Sequence, residues 1–277
     1  VQAAAFLLQN PKLHHFFLGT IETGKTKSVC VPGLNCYSCP AAIGACPLGS
    51  LQATLGGGKK IAFPFYVLGF LMLFGLTLGR WICGWLCPFG LVQDLVYRIP
   101  FFKKVRTFPF ERYLRLLKYA ALLVLVIGLP LASALSGVLV PWFCKVLCPS
   151  GTLFGGIPLV LANPGTFRLG FLFWWKIGVL SALLVLSLLI SRPFCRYLCP
   201  LGAIYGLFNK IALTRLDFTQ KTCVTCGKCE TVCPMGIDPK TQFDSAECIR
   251  CGRCSRACPT GSLALRFGLR KNEESHK

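Results

Sequence analysis

The chain has 277 residues, of which 54% are hydrophobic and only 14% charged, a balance too apolar for an ordinary soluble protein of this size. Thirty basic residues against 10 acidic ones give a net charge of +20. In a soluble protein that would suggest a nucleic-acid partner. Here the long apolar runs assign much of it to the loops of a membrane protein, and nucleic acid is excluded.

In chain order, residues 1–18 are apolar but shorter than the roughly 20 residues needed to cross a bilayer. They read as the tail of a first transmembrane helix, with a cleaved signal peptide as the alternative. Three full spans are expected, over residues 61–86, 113–140 and 169–191. The fold class is therefore an α-helical membrane protein with about four transmembrane helices, the first one truncated. Pro64 can sit in an opening turn, while Gly128 and Pro130 predict a kink in the second full span. Residues 142–162 carry Cys, Pro and Gly among apolar residues and read as a re-entrant or interfacial stretch.

Five basic residues, Arg98, Lys103, Lys104, Arg106 and Arg112, lie between the first two full spans, and two more, Arg115 and Lys118, in the opening turns of the second. Residues 19–60 hold four and residues 141–168 hold two. By the positive-inside rule the loop after Leu86 is cytoplasmic, and the last span returns the C-terminus to that side. Trp81, Trp85, Trp142, Trp174 and Trp175 read as an aromatic belt. Lys176, about two turns into the last span, is either functional or snorkels to the outer face. His14 and His15 are candidates for haem or quinone, but interfacial histidines usually bind neither. The run Thr23-Gly24-Lys25-Thr26 lacks the upstream glycine of a phosphate loop.

Eighteen cysteines at regular spacings point to metal ligation. Cys83-x3-Cys87-Pro-x-Gly, Cys144-x3-Cys148-Pro-x-Gly and Cys195-x3-Cys199-Pro-x-Gly are three copies of one motif. Cys46-Pro-Leu-Gly is a partial fourth, preceded by Cys36 and Cys39. An internal repeat of this kind means one structural unit reused. A spacing of four sets both thiols on one face of a helical turn, so two facing pairs supply the four thiolates of a [4Fe–4S] cluster. An inner cluster is expected on Cys83, Cys87, Cys195 and Cys199. An outer one is expected on Cys144 and Cys148 with two of Cys30, Cys36, Cys39 and Cys46, best Cys39 and Cys46. Unliganded thiols compete with the first assignment, and disulfides in an oxidising compartment with the second. Lys60 and Cys83 lie about 23 residues apart, or roughly 35 Å along an upright helix. One tunnelling step does not normally cover that distance. Either the outer segments dip into the membrane or a quinone or flavin bridges the gap.

The strongest signal is near the C-terminus. Cys223-x2-Cys226-x2-Cys229-x3-Cys233-Pro is repeated as Cys248-x2-Cys251-x2-Cys254-x3-Cys258-Pro, the run of a bacterial-type ferredoxin whose fourth cysteine ligates the other cluster. Cluster I is expected on Cys223, Cys226, Cys229 and Cys258, and cluster II on Cys248, Cys251, Cys254 and Cys233. This predicts a C-terminal α+β 2[4Fe–4S] ferredoxin domain over residues 211–277, cytoplasmic, following a membrane domain over residues 1–210. Sixteen thiolates make about four clusters in all.

The stretches GLNCYSCPAA, CGWLCPFG, PFCRYLCPLGAIYG and CIRCGRCSRACPTG resemble the NapH/NosR-type membrane polyferredoxins, across nearly the whole chain from Val29 to Gly261. The resemblance implies an electron-transfer protein of the prokaryotic cytoplasmic membrane, in some members a quinol dehydrogenase feeding periplasmic reductases. The chain departs from the family in carrying three C-x3-C-P motifs plus a partial fourth, and no flavin-binding outer domain. The expectation is an iron–sulfur subunit working with other redox subunits and an acidic electron carrier. It would move electrons between a cytoplasmic partner and the quinone pool or an outer-side acceptor. The alternative is a maturation factor or thiol–disulfide relay for an outer-side enzyme. No proton-handling residue for quinone chemistry is identifiable.

Overall fold

The computed structural model describes residues 1–21, 24–56, 64–100, 104–106, 108, 110–165 and 169–268. The expected start of the first full span at residue 61 lies outside them, as do Lys59, Lys60, Lys103 and Arg168. Helix α1 (Gln2–Gln9) stops at Asn10, because the residue before Pro11 is driven out of helical geometry. Instead of continuing as a span, it lies along α4 (Trp81–Trp85) and α5 (Pro88–Arg98). Gln2 Nε2 donates to Gly84 O at 2.6 Å and Gln9 Nε2 to Leu86 O at 2.9 Å.

Helix α2 (Pro47–Leu55) starts on a proline at its first turn, where the missing N–H is no loss. Helix α3 (Phe65–Thr77) is shorter than the span read from the sequence. The chain breaks at Gly79 (φ +55°) and restarts as α4. The break is set by Arg80, which is fully buried. Its backbone N–H donates to Asn209 Oδ1, its Nη1 to Ala246 O and its Nη2 to Cys195 O. A straight helix could not place one residue among all three.

Helix α6 (Glu111–Leu135) is continuous, and the expected kink is absorbed in a π-helical stretch, Leu122–Gly128. Pro130 has no N–H to give the preceding turn, and the wider turn ahead of it accommodates the ring. The stretch read as re-entrant or interfacial forms helix α7 (Trp142–Val146) and helix α8 (Pro149–Ala162). In α8 a π turn, Thr152–Gly156, again precedes a proline, Pro158. Helix α9 (Phe171–Leu189) is followed by α10 (Pro193–Tyr197) and α11 (Pro200–Phe208).

Among the described residues, α6 and α9 are long and apolar enough to cross a membrane, and α3 and α8 are shorter apolar helices. Only 28% of the most apolar stretch of α6 and 17% of that of α9 is buried, far less than the core helix of a soluble protein would show. Leu123, Leu135, Phe171, Trp174 and Val185 all face outward.

Beyond α11, β1 (Thr214–Phe218) pairs antiparallel with β2 (Leu263–Phe267), Thr214 opposite Phe267 and Phe218 opposite Leu263. Between them lie two single-turn helices, α12 (Lys228–Thr231) and α13 (Arg253–Ala257). This C-terminal unit is docked on the helical part by directed hydrogen bonds. Arg115 Nη2 and Arg196 Nε both donate to Met235 O at 3.0 Å, and Asn209 Nδ2 donates to Ser245 O and Cys248 O. Lys118, buried in α6, pairs with Glu247, which also accepts from Arg80. A charge this deep in an apolar helix needs such a partner.

Candidate metal centres

Sixteen of the 18 cysteines fall into four groups of four. In the C-terminal unit Cys223, Cys226, Cys229 and Cys258 line one cavity. Cys248, Cys251, Cys254 and Cys233 line a second, and every pair among these four is an electrostatic neighbour. The two loops are built alike. Thr225 and Arg250, each just before the second cysteine of its run, adopt positive φ (51° and 48°), followed by Gly227 and Gly252 at 73° and 69°. Two consecutive turns of this kind curl the backbone around one centre, a conformation non-glycine residues adopt only where the surroundings impose it.

The two groups differ in exposure. Cys226 is exposed and Cys223 and Cys258 half-buried, whereas Cys248 and Cys254 are buried. Burial pushes the Cys248 thiol up to about 11 and Cys254 to about 12, so neither gives a thiolate near neutral pH without a cation to replace its proton. A hydrogen bond from Thr260 brings Cys258 down to about 7.

In the helical part, Cys83, Cys87, Cys195 and Cys199 are all buried and each is an electrostatic neighbour of the other three. They come from the middle of the short helices α4 and α10 and the N-caps of α5 and α11. The fourth group is Cys36, Cys46, Cys144 and Cys148, again mutual neighbours in every pair. Of the outer candidates it is Cys36, rather than the expected Cys39, that neighbours the other three. Cys39 turns away, its Sγ 3.6 Å from Asn10 Oδ1, packed with Ala41 and Ala42. Cys30 stands apart as well, its Sγ 3.6 Å from Ser50 Oγ. No disulfide joins any two of the 18 cysteines. Among the described residues no three His, Cys, Asp or Glu side chains close around a single ion. A cubane holds its four thiolates on four separate irons, and wider sets of four suit it.

The two helical groups are copies of one another. Cys46-Pro-Leu-Gly opens α2 as Cys87-Pro-Phe-Gly opens α5, and Phe143-Cys144 opens α7 as Phe194-Cys195 opens α10. The copies diverge where Cys83 is expected: the equivalent residue is Ala42, and Cys36 supplies the thiol from the preceding loop. Arg80 and Arg192, beside the inner group, have Cys39 and Pro141 as counterparts. Arg192 (φ 52°) is held in its unusual conformation by donating Nε and Nη2 to Asp94 at 2.9 and 2.7 Å. Arg253 of α13 reaches the same carboxylate at 2.8 Å.

Burial alone would raise Asp94, but the hydrogen bond and charge of Arg192, with Arg253, hold its carboxyl below the ordinary value of about 3.8. A depressed carboxylate contributes stability fully above that ordinary value and loses it as pH falls through the depressed one. Removing it leaves Arg192 buried without a counter-charge. Asp94→Ala is therefore expected to cost about 3–5 kcal/mol. Thermal unfolding in detergent should show the difference from wild type near neutral pH and shrinking below about pH 3.8.

The groups adjoin in one order. A Cβ on Gly84, the neighbour of Cys83, would fall 2.6 Å from Ile249 O and 3.4 Å from Cys251 Cα. Trp85 Nε1 donates to Arg250 O at 3.1 Å. On the other side, the Leu34 backbone hydrogen-bonds the Cys87 thiol, and Leu34 O accepts from Ser150 Oγ, between Cys148 and Gly151, at 2.9 Å. Tyr205, fully buried, neighbours Cys83 and Cys87 as well as Cys46, and donates to Pro32 O at 3.1 Å. The loop before α2 thus packs directly against the inner group. Its irregular backbone is protein-enclosed, with Leu34, Asn35, Ala41 and Ala42 all buried, as apolar surroundings require.

A family model described as 4Fe-4S binding domain matches residues 44–64, 61–109, 120–160 and 171–218, more than half the chain. A second model of the same description matches residues 241–263. Among curated relatives, an uncharacterised protein of Methanocaldococcus jannaschii is 34% identical over 172 residues, 61% of this chain and 64% of its own. The methylamine utilization ferredoxin-type protein MauN of Methylorubrum extorquens is 30% identical over 68% of this chain and 59% of its own. The regulatory protein NosR of Pseudomonas aeruginosa is 36% identical over 50% of this chain and 18% of its own. The chain thus spans less than two thirds of the length of each of these relatives. No solved structure matches. The matched models cover Cys46, the three C-x3-C-P motifs and the second C-terminal run, and the chain belongs to the 4Fe-4S binding domain family, with similarity to ferredoxin-type proteins of the NapH/NosR kind.

Proposed function

We propose that the chain is a membrane-embedded electron conduit with four [4Fe–4S] clusters. Cluster I takes Cys223, Cys226, Cys229 and Cys258; cluster II takes Cys248, Cys251, Cys254 and Cys233. The inner cluster takes Cys83, Cys87, Cys195 and Cys199, and the outer one Cys36, Cys46, Cys144 and Cys148. Each cluster, when bound, supplies one-electron exchange. The chain's own residues fix the order of the sites, bury them and set the local charge. The observation that carries this reading is the contiguity of the four groups, from the exposed Cys226 end through Gly84 and Leu34 to Cys144 and Cys148.

The C-terminal unit is read as cytoplasmic. Arg106, Arg115 and Lys118, from the most basic loop and the start of α6, hydrogen-bond to it. Helices α3, α6, α8 and α9 form the membrane bundle. Lys221, Lys228 and Lys240 near the exposed first group suit an acidic electron carrier or another subunit of a redox complex. Iron, acid-labile sulfide and EPR of the reduced protein test the reading. About four clusters per chain are expected; two only, both in the C-terminal unit, would end it.

One feature favours quinone as the outer reactant over a protein partner. A cavity of about 800 Å³ borders Cys36, Cys46, Cys144, Cys148 and Lys176, with Leu139 and Leu159 in its walls. Lys176 is among the residues that line this cavity. Added menaquinol is expected to bleach the cluster absorbance of the purified protein, and unchanged spectra assign the outer end to a protein acceptor.

A further inference from the structure

Gln52 and Gln93 hold the same position in the two copies of the helical repeat, the sixth residue after Cys46 and Cys87 respectively. Both are 1% exposed. Gln93 Oε1 accepts from the Phe194 N–H at 3.1 Å, which is one of the unpaired donors at the start of α10. That bond fixes the amide: only Nε2 can then face the other way. Nε2 divides its two hydrogens between Phe89 O, at 3.4 Å, and Cys195 Sγ, at 3.3 Å. Gln52 repeats every contact. Its Oε1 accepts from the Phe143 N–H at 3.0 Å, and its Nε2 donates to Leu48 O at 3.2 Å and to Cys144 Sγ at 3.5 Å. A flipped amide would set oxygen against carbonyl and sulfur, and nitrogen against an N–H.

The repetition is informative because so much around it differs. One copy has Cys83 where the other has Ala42, and Arg80 and Arg192 where the other has Cys39 and Pro141. What both retain is an amide donor locked onto the first cysteine of the C-x3-C pair. We propose that Gln52 and Gln93 are the residues that tune the reduction potentials of the outer and inner clusters, each by an N–H donated to one ligating sulfur. The proposal rests on the ligand sets given above. When a cluster takes up one electron, the added negative charge spreads onto its thiolates and no bond breaks. The amide keeps its proton, and its N–H stabilises the reduced form more than the oxidised one. Because Oε1 is tied to a backbone N–H, the donor cannot rotate away.

The test is an EPR-monitored redox titration of the full-length, cluster-loaded protein. Gln93→Leu is expected to lower the midpoint potential of the inner cluster alone, and Gln52→Leu that of the outer cluster alone. In wild-type protein carrying 15N-labelled glutamine, pulsed EPR should detect a 15N coupling to the reduced inner and outer clusters, a readout that needs no variant. A cluster that is present but keeps its potential in the variant, or the absence of any 15N coupling in wild type, overturns the proposal and leaves the glutamines as helix caps. Absence of the inner or outer cluster from wild-type protein would instead strike the ligand assignment, so the two failures are distinguishable.

Discussion

Alanine at Cys36 is expected to remove one of four [4Fe–4S] signals, whereas alanine at Cys39 leaves all four. The two residues sit on one short loop, and spacing does not separate them. Their surroundings do. Cys36 is an electrostatic neighbour of Cys46, Cys144 and Cys148, and a Cβ on Gly151 would stand 3.4 Å from its sulfur and 3.7 Å from that of Cys148. Cys39 is buried against Ala41 and Ala42 with its sulfur toward Asn10, behind the loop and away from the outer cavity. Loss of one ligand from a four-thiolate site should cost the chain about four iron atoms, while the Cys39 change removes only a small buried side chain. Iron analysis with EPR of both variants decides it. If Cys39→Ala loses the signal and Cys36→Ala keeps it, the ligand set reverts to the one first read from the motif.

How much of this was legible in the sequence follows from the range of the interactions involved. The two C-terminal groups could be read residue by residue, because their ligands sit in two short runs whose loops close locally around Thr225 and Arg250. The inner four could be paired because each C-x3-C lies at a helix end. The outer four could not, since the fourth thiol comes from an irregular loop whose path is set by long-range contacts, Leu34 O to Ser150 and Pro32 O to Tyr205. The same holds for the span expected over residues 61–86. Its hydropathy is continuous, and the break at Gly79 is imposed by acceptors on Asn209, Ala246 and Cys195. One signal was available: an arginine inside an apolar run demands buried partners. Another was the glutamine repeated after Cys46 and Cys87, visible once the partial motif is aligned with the complete one.

The second large effect is expected at the inner group, because it alone joins the outer group to the two C-terminal ones. Cys199→Ala should abolish the inner cluster, leave both C-terminal clusters reducible by a soluble low-potential donor, and leave the outer cluster oxidised on the same timescale. The reasoning is one of distance. Cys251 lies against Gly84 and Ser150 against Leu34, so each step between adjacent groups is short. Without the inner site a single step would have to pass from the Cys248–Cys254 loop to Cys148, across the bodies of α4, α5 and α11, and tunnelling rates fall steeply with separation. The variant should still fold, since Arg192 keeps Asp94 and Arg80 keeps Glu247 as counter-charges, so the buried cations beside the lost cluster stay paired. Freeze-quench EPR after mixing with a reduced donor follows each cluster separately. Reduction of the outer cluster at the wild-type rate in Cys199→Ala would mean that electrons reach it by another path, and the line of four groups would then not be the route.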